Sequence, residues 1–107
     1  MRIYRGDTFE FDFSAMLNNT TSYVFQTGDI VKAGIKKSIA DTNYLLYQRK
    51  VIEDDTETVT FSFSHQETLN LIPKKDCVLE VELTDTSGRV LTLYQNTIEI
   101  AGDVINE

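Results

Sequence analysis

Residues Thr58–Arg89 read TVTFSFSHQETLNLIPKKDCVLEVELTDTSGR. The first seven alternate, with Val59, Phe61 and Phe63 on one side and Thr58, Thr60, Ser62 and Ser64 on the other. A period of two is the mark of a strand with one buried face. The period then breaks. Ser64 and Glu67 stand at the spacing of a capping box, and Pro73 is a helix stop. One short helix is therefore predicted over about 65–71, with Leu69 and Ile72 turned to the core. Alternation resumes with Cys77, Leu79, Val81 and Leu83 on one face, and Asp85-Thr86-Ser87-Gly88-Arg89 is a hairpin signal. Strand, helical turn, strand and hairpin within one stretch point to a sheet protein that carries a single helix.

The flanks repeat the pattern. Phe9, Phe11 and Phe13 alternate with Thr8, Glu10 and Asp12, and Val31, Ala33 and Ile35 alternate with Lys32, Gly34 and Lys36. Tyr23 and Phe25 suggest a short strand after the turn formers Asn18 to Ser22, closed by Gly28-Asp29. Tyr44 to Ile52 is β-prone but mixed in phase, which predicts a bulge or a twisted edge. Val90–Tyr94 and Thr97–Ile100 read as one last strand interrupted near Gln95-Asn96. Many short strands and one helix predict an all-β, immunoglobulin-like antiparallel sandwich. Phe9, Phe11, Phe13, Val31, Ala33, Ile35, Val59, Phe61, Phe63, Leu79, Val81 and Leu83 are its expected core. The 107 residues are expected to form one domain, 1–107, since no linker, repeat or low-complexity segment divides them.

Composition narrows the function. Seventeen acidic residues against ten basic ones give a formal charge of −7, which disfavours nucleic acid and anionic membranes as partners. Cys77 is the only cysteine, so no internal disulfide forms, and a reducing compartment is expected. No stretch reads as a signal peptide or a membrane helix. On that reading the glycosylation patterns that start at Asn18 and Asn19 are incidental.

The residues that could carry chemistry do not converge in sequence. His65 is the only histidine and lies twelve positions from Cys77, short of a zinc ligand set. Glu53 to Glu57 lacks the spacing and the glycine of a calcium loop and reads as a solvated turn. Ser62 and Ser64 lie near His65, but there is no nucleophile elbow and no phosphate-binding glycine loop. The expectation is a non-enzyme with no catalytic, cofactor-binding or metal-binding residues and no cofactor. Tyr44, Tyr47 and Tyr94 could stack on a sugar ring, or pack at edges as amphipathic side chains. Arg5-Gly6-Asp7 matches a cell-adhesion tripeptide, yet it sits where Gly6 would turn the chain into the first long strand.

A set of motifs runs through the chain in order. Gly6-Asp7 precedes the alternating Phe9, Phe11 and Phe13. Val59 to Phe63 leads to Glu67-Thr68 in the short helix. Glu82-Leu83-Thr84-Asp85 is followed by Gly88-Arg89, and Thr97-Ile98-Glu99-Ile100 by Asp103-Val104. This set resembles the small β-sandwich domains of phage and prophage tail proteins, in particular the N-terminal domain of phage upper-baseplate proteins. The chain departs from that pattern at Lys74-Lys75-Asp76 and at Asn96, where a glycine is usual. Residues 15–51 match it only in hydrophobic rhythm. The resemblance implies a structural part of a tail or baseplate, located in the virion after assembly in the bacterial cytoplasm. Its implied partners are other tail proteins or copies of itself, in a ring or trimer. A sugar- or host-surface-binding module of the same apparatus is the alternative, and a small cytoplasmic interaction protein is a third reading.

Overall fold

The computed structural model describes residues 1–18 and 20–102, with the side chains of residues 17 and 18 left out. The chain is an all-β sandwich. Its strands are β1 (Arg2–Tyr4), β2 (Phe9–Phe13), β3 (Met16–Asn18), β4 (Thr21–Ser22), β5 (Ile30–Lys36), β6 (Leu46–Val51), β7 (Val59–Phe63), β8 (Lys74–Thr84) and β9 (Val90–Ala101). One helix, α1 (His65–Leu69), joins β7 to β8. The large sheet has five strands in the order β1-β9-β8-β5-β6, facing a two-stranded sheet of β2 and β7. A separate ribbon pairs β3 with β4.

The alternation read from the sequence becomes the core. Val31, Ala33 and Ile35 of β5, Cys77, Leu79, Val81 and Leu83 of β8, and Ile98 and Ile100 of β9 form the buried floor. Val59, Phe61 and Phe63 of β7 cover it, and Phe25, Leu46, Ile52 and Leu71 belong to the same buried cluster. Phe9, Phe11 and Phe13 pack against this cluster but are only half-buried, so the expected core narrows at β2.

Four features differ from the sequence reading. The opening residues are not merely a turn, because β1 pairs parallel to β9 with Ile3 opposite Ile100. The helix stops at Leu69. Leu69 and Ile72 are solvent-exposed while Thr68 and Leu71 are buried, so the inner face of this segment is one position out from the expected one. Finally, β9 runs unbroken through Gln95 and Asn96. Its irregularity lies at Leu93, which is left over where Val81 faces Tyr94 and Glu82 faces Thr92. Asn96 faces Leu79 in ordinary strand geometry, and no non-glycine residue among those described has a positive φ.

β6 is an edge strand, as its mixed phase suggested. Ile35 is in register with Leu46, yet the Leu45 N–H also donates to the Ile35 carbonyl at 2.7 Å. Two residues thus face one, as in a bulge. The bulge lets Tyr44 lie on the outer face of the sheet while Leu46 enters the core.

Candidate interaction surface

The tripeptide Arg5-Gly6-Asp7 is built into the fold. Gly6 has φ 87°, a left-handed conformation that favours glycine. Its N–H donates to the Thr68 hydroxyl oxygen at 3.0 Å, and that hydroxyl donates to the Asp7 carbonyl at 2.6 Å. The Arg5 guanidinium donates to the Leu69 carbonyl at 3.0 Å. Thr68 has no solvent exposure, so α1 acts as a clamp on this turn. The capping box holds the clamp in shape. The Glu67 N–H donates to the Ser64 hydroxyl, and the Ser64 N–H donates to the Glu67 carboxylate at 2.9 Å.

The candidate chemical groups stay apart. His65 is exposed on α1, whereas Cys77 is buried on the inner face of β8, where burial pushes its thiol pKa up. The Ser64 hydroxyl serves the helix cap. Among the described residues no three His, Cys, Asp or Glu side chains gather as a metal site. In the acidic turn, Asp55 accepts from the Thr27 N–H at 2.8 Å and from the Thr27 hydroxyl at 2.9 Å, and these bonds hold its carboxyl below the usual range. No described helix is long and apolar enough to cross a membrane.

The three tyrosines do not form one platform. Tyr44 and Tyr47 meet on the outer face of the large sheet, with ring centroids 5.0 Å apart. Tyr94 lies on the inner side, edge-on to Phe13 of β2 at 6.2 Å. Tyr44 instead roofs an ion pair. Lys36 Nζ lies 3.0 Å from Glu80 Oε1, with both side chains mostly covered, and 5.1 Å from the centre of the Tyr44 ring. Gln95 donates to the other Glu80 oxygen at 2.7 Å. Burial pushes the Glu80 carboxyl up, but the hydrogen bonds from Lys36 and Gln95 outweigh it and hold the group ionised below its ordinary value. A network in which each charge has a partner reads as a structural fixture of this face.

Sequence reasoning passed over Asp29, a buried carboxylate. It accepts from the Gln26 N–H at 2.9 Å and from the Tyr23 hydroxyl at 3.3 Å. The visible signal was Gly28-Asp29 closing a turn. A groove of about 460 Å³ lies between α1 and the segment after β5, lined by Leu45, Leu71, Ile72 and Pro73 with Lys37 and Lys74 nearby. Its lining includes Glu67 of the capping box, but none of His65, Cys77, Ser62, Ser64 or the three tyrosines.

The open strand edges are the remaining surface. The Ile52 N–H donates to the Asp29 carbonyl. Alternation in an antiparallel ladder then turns the backbone groups of Tyr47, Arg49 and Val51 away from β5. These three residues are exposed, and no described strand pairs with β6 on that side. The Asn19 part of the glycosylation pattern and the Asp103-Val104 motif lie outside the described residues. No family model, no curated protein and no solved structure matches the chain.

Proposed function

We propose that this domain is a non-enzymatic assembly component of a bacteriophage or prophage tail or baseplate, joining neighbouring virion proteins or copies of itself through strand edges. The resemblance described above supplies the setting. Two of its motifs, Gly6-Asp7 and Glu67-Thr68, lie far apart in sequence and are joined by the Thr68 hydroxyl, which supports reading them as parts of one design. The observation that carries the assembly role is the open edge of β6, which offers unpaired backbone groups beside exposed Tyr47 and Val51 and contains no proline.

The test blocks that edge. Leu46 is unsuitable, because its side chain is in the core. Arg49 has its N–H turned outward, so Arg49→Pro removes a pairing donor while sparing the ladder to β5. The expected result is a smaller particle by light scattering, or loss of incorporation into tails, with an unchanged β circular-dichroism spectrum. A wild-type protein that stays monomeric at high concentration and binds no tail protein would refute the reading.

A further inference from the structure

The small sheet stops one strand short. Phe11 and Phe61 are directly opposite each other on the same face, as are Phe9 and Phe63. Phe61 and Phe63 have no solvent exposure, while Phe9, Phe11 and Phe13 are only half-buried. The large sheet shows the same boundary. Leu79 and Leu83 of β8 are buried, yet their partners Asn96 and Leu91 on β9 are exposed. Cover therefore ends beyond β2 in the small sheet and, along Leu91–Asn96 of β9, beyond β8 in the large one, whereas Ile98 and Ile100 further along β9 are buried. At that boundary lies a groove of about 270 Å³ lined by Met1, Phe11, Phe13, Leu79 and Tyr94. A smaller one by Ile3 and Phe9 continues it.

The edge beside this groove has free backbone and a definite charge. The Ser62 N–H is bonded to Gln48, so Ser62 faces away from β2. Alternation then turns the backbone groups of Glu10 and Asp12 outward, and no described strand pairs with them. Both side chains are exposed and acidic. A second copy presenting its own β2 antiparallel to this one would set acid against acid, which destabilises a strand pair.

We propose that the β2 edge accepts an extended segment of a partner protein as the third strand of the small sheet. The segment alternates apolar and basic residues. Its apolar side chains roof the groove over Tyr94 and Leu79, and its Lys or Arg side chains stand beside Glu10 and Asp12. This deepens the assembly reading by naming a receiving edge and the partner's chemistry, and its test is separate from the β6 test.

The probe is a capped hexapeptide of alternating Lys and Val, compared with its Glu-Val counterpart, and amide hydrogen exchange is read residue by residue. The expected result is slowed exchange at Glu10 and Asp12 with the Lys-Val peptide, weakening with salt. The Glu10→Lys, Asp12→Lys double variant should bind that peptide roughly tenfold more weakly and prefer the acidic one, as expected when cross-strand charge pairs change sign. Protection at Tyr47 and Arg49 in place of Glu10 and Asp12 would overturn the proposal. So would protection without peptide that rises with protein concentration, which would mean a second copy on the edge. The absence of protection with either peptide at millimolar concentration would also overturn it.

Discussion

The side-chain amide of Gln48 pairs with the backbone of Ser62 in both directions. Its oxygen accepts from the Ser62 N–H at 3.0 Å, and its nitrogen donates to the Ser62 carbonyl at 3.3 Å. Gln48 belongs to β6 in the large sheet, and Ser62 to β7 in the small one. One side chain thus does for β7 what a neighbouring strand would do, and it ties the two sheets together at this corner. It also leaves the opposite corner, at β2, as the open one.

Replacing Gln48 with Ala leaves both Ser62 backbone groups without this partner in a half-buried place. The expected cost is about 1–3 kcal/mol, the penalty for a polar group that loses its partner away from water. Urea unfolding of the Gln48→Ala variant measures it. A change within about 0.5 kcal/mol, the range of ordinary surface substitutions, would show that water replaces the amide without loss.

Thr68 of α1 makes a comparable side-chain link, to the turn between β1 and β2. Thr68→Val keeps the shape of the side chain and removes the hydroxyl that serves Gly6 and Asp7. The expected loss is about 1–3 kcal/mol, with faster amide exchange at Gly6. Thr68→Ser keeps the hydroxyl and should preserve the Gly6 protection. Equal exchange at Gly6 in wild type and Thr68→Val would show that the clamp is not what orders the turn. Asp7→Glu should leave any cell binding unchanged, and adhesion of integrin-bearing cells to the wild type but not to this variant would show the tripeptide acting as a ligand.

Much of this fold was legible because its long strands alternate cleanly. β5, β7 and β8 could be placed from Val31, Phe61 and Leu79 and their neighbours, since period two needs no tertiary knowledge. β1 could not. Three residues are too short to show a period, and their pairing with β9 is a long-range event. The helix face failed for a related reason. In five residues, apolar spacing carries little weight against a buried hydroxyl with three backbone partners, so Thr68 turned inward and Leu69 outward. Phe9, Phe11 and Phe13 carry as strong a pattern as β7 does. Their half-burial depends on how many strands the small sheet has, which alternation does not encode. The candidate surface was legible only at β6, where mixed phase betrayed an edge. The β2 edge was hidden behind a pattern that looked like core.

Gly34 shows how a missing side chain can be structural. A Cβ at that position would clash with the Tyr44 ring and lie 2.7 Å from the Leu46 carbonyl oxygen. The second contact is backbone, so it cannot be relieved by a rotamer change. Gly34→Ala should therefore cost about 1–3 kcal/mol, the range for overpacking. It should also lift Tyr44 off the Lys36–Glu80 pair. Burial holds the Tyr44 phenol above its ordinary value of 10.0, so lifting the ring should bring its titration back down. Ultraviolet titration of Gly34→Ala against Tyr44→Phe isolates that signal. Unchanged stability and an unchanged phenol would mean that the loop carrying Tyr44 gives way freely.

The β8–β9 hairpin is held by Asp85, and its contribution should depend on pH in a definite direction. Asp85 Oδ1 accepts from the Ser87 hydroxyl at 2.7 Å and from the Ser87 and Arg89 N–H groups at 3.0 and 2.9 Å. Its other oxygen accepts from the Arg89 guanidinium at 3.0 Å. Hydrogen bonds from Ser87 and then Arg89 hold the carboxyl far below its ordinary value of 3.8. A group whose pKa falls on folding binds protons more readily when unfolded, so it stabilises the fold above the unfolded pKa. That stabilisation is complete at neutral pH, begins to fade as the pH drops below about 4, and is lost as the pH falls through the depressed folded value. Asp85→Asn cannot ionise and should unfold at lower urea than wild type at pH 7, with the gap closing as the pH is lowered from 4 to 2. Screening at this exposed loop makes the gap smaller in high salt. A gap that stays constant from pH 7 to pH 2 would mean that the carboxylate's charge contributes nothing and that the hairpin is set by Gly88, at φ 90°, and the strand register alone.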